Sequence, residues 1–167
     1  YHLDEEYELV SAQPFFHPEL PWSGMPDLLA EDEIGEIKSY QLAKFTEYAH
    51  CLMQEDIELL KTNFPQEYWQ IVSNLVLCKK KFGSAIAYMP YRSELDSVVD
   101  EIQNTDILDR YQMNPWEYRF LVEEAIDSLP YLEPGGYFKN VIKFKFEIPK
   151  EDKDLLTKRT EIAAEFL

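Results

Sequence analysis

The stretch Gly24-Met25-Pro26-Asp27-Leu28-Leu29-Ala30-Glu31-Asp32-Glu33-Ile34-Gly35-Glu36-Ile37-Lys38-Ser39 decides how the chain is read. Residues 27–31 and 34–39 are expected to form two short strands, with the acidic run Glu31–Glu33 as the turn between them. Side chains alternate along a strand, so Glu36 and Lys38 share a face and Ile37 is expected to turn to the core. Paired as a hairpin, the strands bring Asp27, at the start of the first, beside Glu36 on the second. Two carboxylates and an amine then converge on one face.

That grouping suits a hard cation. Mg²⁺ takes oxygen ligands, commonly one or two carboxylates with waters and substrate phosphate. Asp27 and Glu36 would supply the carboxylates, and the backbone carbonyl of Ile37 a further oxygen. Lys38 would hold the attacking water and offset charge on a scissile phosphate. Such a metal acts as Lewis acid and lowers the pKa of bound water, which serves in-line phosphodiester hydrolysis. An acidic hairpin with a Glu-x-Lys pair is also how an ordinary solvated strand face reads.

Outward from this hairpin the pattern is mixed. Residues 7–16 read as extended and interrupted at Pro14, and the proline-rich run to Asp27 as a turn. Residues 41–61 read as mostly helical, with Phe45, Tyr48, Ala49, Leu52 and Met53 at helical spacing. Pro65 opens a helix whose apolar side is Ile71, Val72, Leu75, Val76 and Cys78. Gln66, Gln70, Ser73, Asn74 and Leu77 form another stripe on it. Residues 84–89 read as a strand, and Ser93 as the cap of a helix carrying Leu95, Val98, Val99 and Ile102. Asn114-Pro115-Trp116-Glu117 has the residues of a capping box with proline at the first helical position. Residues 141–148 alternate, with Ile142, Phe144, Phe146 and Ile148 on one face and Lys143, Lys145 and Glu147 on the other, as on an edge strand. A last amphipathic helix lines up Leu155, Leu156, Arg159, Ile162, Ala163 and Phe166. The fold class expected is α/β (α+β): a small mixed β-sheet flanked by helices, in one domain spanning 1–167.

Composition bounds the rest. In 167 residues, 46% hydrophobic with 14% aromatic, there is enough apolar material for a core. No apolar run approaches the roughly 18 residues of a membrane span, and Tyr1 is not followed by a signal segment. Cys51 and Cys78 lie far apart and form no CxxC or Cys/His cluster, which excludes a local zinc ribbon and suits a reducing cytoplasm. Sixteen Lys and Arg against 32 Asp and Glu give a net charge of −16. That sign argues against non-specific nucleic-acid binding through a basic surface.

The motifs, however, carry a resemblance. The run Phe15 to Ser39 resembles the core of the PD-(D/E)XK nucleases, most closely their phage lambda exonuclease and YqaJ-like viral recombinase branch. His17-Pro18-Glu19-Leu20-Pro21-Trp22 stands before Gly24-Met25-Pro26-Asp27 much as an HPExPW segment precedes GxxPD there. Glu36-Ile37-Lys38-Ser39 resembles the EIK motif, and Pro65-Gln66-Glu67-Tyr68-Trp69-Gln70, with Asn74 after it, resembles the PxxYYxQ helix. The likeness covers about residues 8–90 well and the rest in outline. It implies a restriction-endonuclease-like core, with Asp27 and Glu36 as metal ligands, Lys38 as catalytic lysine and Gln70 positioning substrate or water. It further implies a Mg²⁺-dependent (or Mn²⁺-dependent) exonuclease on linear double-stranded DNA, acting 5′ to 3′ in phage-type recombination. A single-strand annealing protein would be its partner, and a ring-shaped trimer its assembly in lambda-like members. A phage-encoded or bacterial enzyme of this kind would be cytoplasmic.

Two features depart from the pattern. The branch carries an acidic residue on a helix well upstream of the PD aspartate, and counting back from Asp27 passes Tyr1; Asp4, Glu5 and Glu6 lie too close to replace it. The N-terminal helix is thus expected to be missing from this stretch. Val72 stands where many relatives carry a second glutamine. Two other readings stay open: an endonuclease of restriction or repair type, and an inactive acidic binding protein on the same fold, which the −16 charge favours. Other residues admit a function beside a structural role: His17 and His50 as bases, Lys79–Lys81 and Tyr91-Arg92 as phosphate contacts, and Trp22 as a base-stacking ring.

Overall fold

The structure, a computed structural model, describes residues 14–104, 110 and 112–166. Two short strands, β1 (Phe15–Phe16) and β2 (Ser23–Gly24), pair antiparallel as a small hairpin. The main sheet has the order β3-β4-β5-β6, from β3 (Leu28–Leu29), β4 (Glu33–Ser39), β5 (Phe82–Tyr88) and β6 (Val141–Glu147). β3 runs antiparallel to β4, β4 parallel to β5, and β5 antiparallel to β6. The mixed α/β architecture expected from the sequence is the one observed. A parallel pair needs a crossover, and here it contains α1 (Leu42–Met53), α2 (Ile57–Asn63) and α3 (Pro65–Cys78).

Differences from expectation have local causes. The first strand is only Leu28–Leu29, so Asp27 sits just before it. The expected 41–61 helix breaks after Met53: Glu55 takes a positive φ of 53°, and Asp56 caps α2 by accepting from the Glu58 and Leu59 amides. Ser93 lies inside α4 (Arg92–Asn104) and is not its cap; the Glu94 carboxylate accepts from the Tyr91 amide instead, at 2.6 Å. The Asn114 box forms as read, with Asn114 Oδ1 accepting from Trp116 and Glu117 N–H, and Glu117 Oε2 accepting from Asn114 N–H. It opens α5 (Pro115–Tyr118), which passes through a π turn at Arg119–Glu123 into α6 (Glu124–Asp127). Of the segment 7–16, residues 7–13 lie outside the described residues, as do Asp4, Glu5 and Glu6.

One sheet face is covered by α1 and α3. Ile34, Ala85, Ala87, Phe144 and Phe146 meet Phe45, Tyr48, Tyr68, Ile71, Val72 and Leu75 there, all buried. A Cβ at Gly83 would collide with Ile71, so the glycine lets α3 approach β5 closely. Among the described residues, the apolar cluster on the opposite face is small, Leu28 and Ile86 with Ala30, Ile37 and Val141. Ile37 therefore packs on this lesser side, and Glu36 and Lys38 point under the helices, the reverse of the sequence expectation. Alternation fixes which residues share a face; it does not say which face the helices cover.

The last helix, α7 (Lys150–Ala164), also departs from its pattern. Leu156 packs on the core, whereas Leu155, Ile162 and Phe166 are exposed. Its buried anchor is Asp152, which accepts from Lys61 Nζ at 2.6 and 2.8 Å and from Tyr68 Oη at 2.6 Å. Among the described residues, no helix is long and apolar enough to cross a membrane.

Candidate active site

Site geometry follows from β4 lying beneath α3. Along α3, Glu67, Gln70 and Asn74 recur at helical spacing and face the strand residues Glu36, Lys38 and the following Tyr40. Glu36 lies at the floor, 1% exposed. Its Oε2 accepts from Gln70 Nε2 at 2.7 Å and its Oε1 accepts from Asn74 Nδ2. Lys38 Nζ donates to Gln70 Oε1 at 2.7 Å and lies 3.8 Å from Glu36 Oε2. One glutamine amide thus spans the carboxylate and the ammonium.

Asp27 joins this group from the other side. Its Oδ2 accepts from the Ile37 backbone N–H at 2.7 Å, continuing the β3–β4 pairing with a side chain where the strand has not yet begun. On a strand, a residue's carbonyl points to the same edge as its N–H. Ile37's carbonyl is therefore on the Asp27 edge, one residue from the Glu36 carboxylate. The structure thus brings Asp27, Glu36, Lys38 and Gln70 together. Asp27 and Gln70 are exposed and Lys38 is half-buried, so the group opens to solvent with Glu36 beneath.

The electrostatics single out Glu36. Burial, then the neighbouring Asp27 charge, push its pKa from 4.5 up to about 7, against the opposing pull of Asn74 and Lys38. Two carboxylates this close hold more negative charge than their amide and lysine neighbours compensate. Among the described residues no group of three or more His, Cys, Asp or Glu gathers as a metal site. The acidic donors are this pair, and a pair of carboxylates with one carbonyl fits Mg²⁺, which keeps several waters, better than a softer metal.

Some neighbours carry no reading from the sequence. Glu67 accepts from Tyr40 Oη and, at 3.2 Å, from Lys44 Nζ. Burial works against the Glu67 charge, but these donors hold its pKa below the ordinary range. Asn74, part of the polar stripe and of the motif, has no assigned role in the sequence reading; its place four residues after Gln70 is the signal for its bond to Glu36.

The other candidates have these neighbours in the fold. His17 Nδ1 accepts from the Glu19 and Leu20 amides, and its ring stacks on Trp22 at 5.7 Å. Trp22 Nε1 donates to Ser73 Oγ at 2.7 Å, which ties the β1–β2 turn to α3. His50 lies against Phe138 and Tyr137. Lys79 ends α3 in a left-handed conformation, and Lys80 Nζ donates to the Glu31 carbonyl. Arg92 pairs with Asp96 and Asp127, and Tyr91 Oη accepts from Asn140 N–H. Val72 is fully buried in the core.

Compared with known proteins, the chain matches no family model and no curated protein. Among solved structures it is similar to an alkaline exonuclease (LHK-Exo) from Laribacter hongkongensis. The TM-score is 0.37 and the identity 17%, over 75% of this chain and 67% of that one.

Proposed function

We propose that the chain is a metal-dependent deoxyribonuclease, an exonuclease acting on the ends of linear double-stranded DNA. The observation that carries this reading is the convergence of Asp27, Glu36 and Lys38 at the end of β4, with Gln70 linking the last two. Asp27, Glu36 and the Ile37 carbonyl would hold Mg²⁺, or Mn²⁺. When bound, the ion would supply a Lewis acid for the scissile phosphodiester and a lowered pKa for attacking water. Lys38, oriented by Gln70 Oε1, offsets charge that develops on the phosphate and holds the water. Gln70 fixes both partners in one geometry, so that neither has to reorganise as charge builds.

The resemblance in the sequence supports the choice of exonuclease, a 5′ to 3′ direction, a trimer and an annealing-protein partner. A net charge of −16 favours the rival reading, an acidic binding protein with a silent site. Linear duplex labelled at its 5′ or 3′ ends, beside a covalently closed circle, separates these readings. The proposal expects one label released first in Mg²⁺, no release in EDTA or with Lys38→Ala, and an intact circle. Cleavage of the circle makes the enzyme an endonuclease. Absence of cleavage in both Mg²⁺ and Mn²⁺ favours the binding protein.

A further inference from the structure

We infer that Asn74 is a positioning residue that presents Glu36 to the cation, and that the β1–β2 turn holds Asn74 in place. The inference rests on the metal-site reading above.

Three observations meet at Asn74. It is 2% exposed on a helix that otherwise buries apolar side chains there, so its amide needs a partner. Its Nδ2 donates to Glu36 Oε1, the oxygen that Gln70 leaves free. Its Oδ1 lies against Gly24: a Cβ at Gly24 would fall on this oxygen and come within 2.9 Å of Leu77 Cδ1. Gly24 lies outside the left-handed region, so it is close approach, and not backbone conformation, that calls for glycine. The Trp22 to Ser73 hydrogen bond holds the turn to α3 beside Asn74.

The two Glu36 oxygens are therefore each held by an amide from α3, one turn apart. Gln70 is exposed and shared with Lys38; Asn74 is buried and committed. With both oxygens held from α3, the carboxylate keeps one orientation relative to the helix. Partners that orient a ligating carboxylate in this way contribute about 10–100-fold to metal affinity.

The test is Mn²⁺ binding, followed by the loss of the free-ion electron paramagnetic resonance signal, together with thermal unfolding and end-labelled DNA digestion. Asn74→Leu keeps the side-chain volume and removes the donor. Gly24→Ala keeps the amide and displaces it. The expected result is a Mn²⁺ Kd raised about 10-fold or more by Asn74→Leu, and in the same direction by Gly24→Ala, with both proteins folded at the assay temperature. Lys38→Ala should lose cleavage with Mn²⁺ affinity nearly kept. A purely structural role would lower the unfolding temperature and leave the Kd of the folded protein unchanged; that result, with wild type binding Mn²⁺ normally, overturns the Asn74 inference alone. Should Asn74→Leu not fold, an unchanged Kd in Gly24→Ala overturns it equally. Absence of Mn²⁺ binding in wild type, or binding that Asp27→Ala leaves unchanged, overturns the site reading itself.

Discussion

Strand β4 carries two buried carboxylates three residues apart, on opposite faces of one sheet, and they have opposite surroundings. Glu33 lies on the face that α1 and α3 leave uncovered. Its Oε1 accepts from Ser84 Oγ at 2.5 Å and lies 3.2 Å from Lys143 Nζ, and its Oε2 lies 2.5 Å from Lys145 Nζ. Glu36, under α3, has two neutral amides, the Asp27 carboxylate and a lysine at 3.8 Å that is bonded to Gln70. Both lose hydration, but only one receives close cations in return. The comparison separates a buried acid whose charge the fold compensates with lysines from one whose charge it leaves largely uncompensated.

Substitution should separate the two acids most sharply in activity. Lys38→Ala and Glu36→Gln are expected to lower DNA cleavage at least about 100-fold, and Glu33→Gln to leave it within a few-fold. Initial rates on end-labelled duplex check this. Stability should reverse the order. Glu33→Gln is expected to cost about 1–3 kcal/mol in urea unfolding, limited because the lysines left behind reach water. Glu36→Gln should gain on the order of 1 kcal/mol at pH 8 without metal, since the neutral side chain suits that pocket better than the charge.

The raised Glu36 pKa gives a pH dependence with a definite sign. Its folded value of about 7 lies above the ordinary 4.5. Its contribution to stability is then complete below pH 4.5 and is lost as pH rises through 7. In EDTA, the unfolding temperature of wild type should fall across this window more than that of Glu36→Gln. The smallest effect belongs to Lys145→Met. Its side chain is 43% exposed and Lys143 remains on Glu33, so under about 1 kcal/mol is expected in urea unfolding.

Much of the site was legible because its spacing is local. Asp27, Glu36 and Lys38 fall within one hairpin: strand alternation puts Glu36 and Lys38 on one face, and the short turn brings Asp27 to the β4 edge beside them. Gln70 came from a motif, since nothing in its own helix says which strand lies opposite. Which sheet face α3 covers depends on the β4–β5 crossover, and for that reason alternation does not say whether Ile37 or Glu36 faces the larger core. Glu33 looked like a turn residue because its partners, Lys143 and Lys145, come from β6 over a hundred residues later in the chain; their alternation suggested a solvated edge. The Met53–Ile57 break hides in continuous apolar periodicity, although Asp56 is an ordinary capping residue.

The most direct test of the difference between the two acids is the unfolding temperature at pH 8, with and without Mg²⁺, for wild type, Glu36→Gln and Glu33→Gln. A ligand that binds the folded state stabilises it according to its affinity. The account predicts that Mg²⁺ raises the unfolding temperature of wild type and Glu33→Gln and leaves Glu36→Gln unmoved. An equal shift in all three, or no shift in wild type, would contradict it.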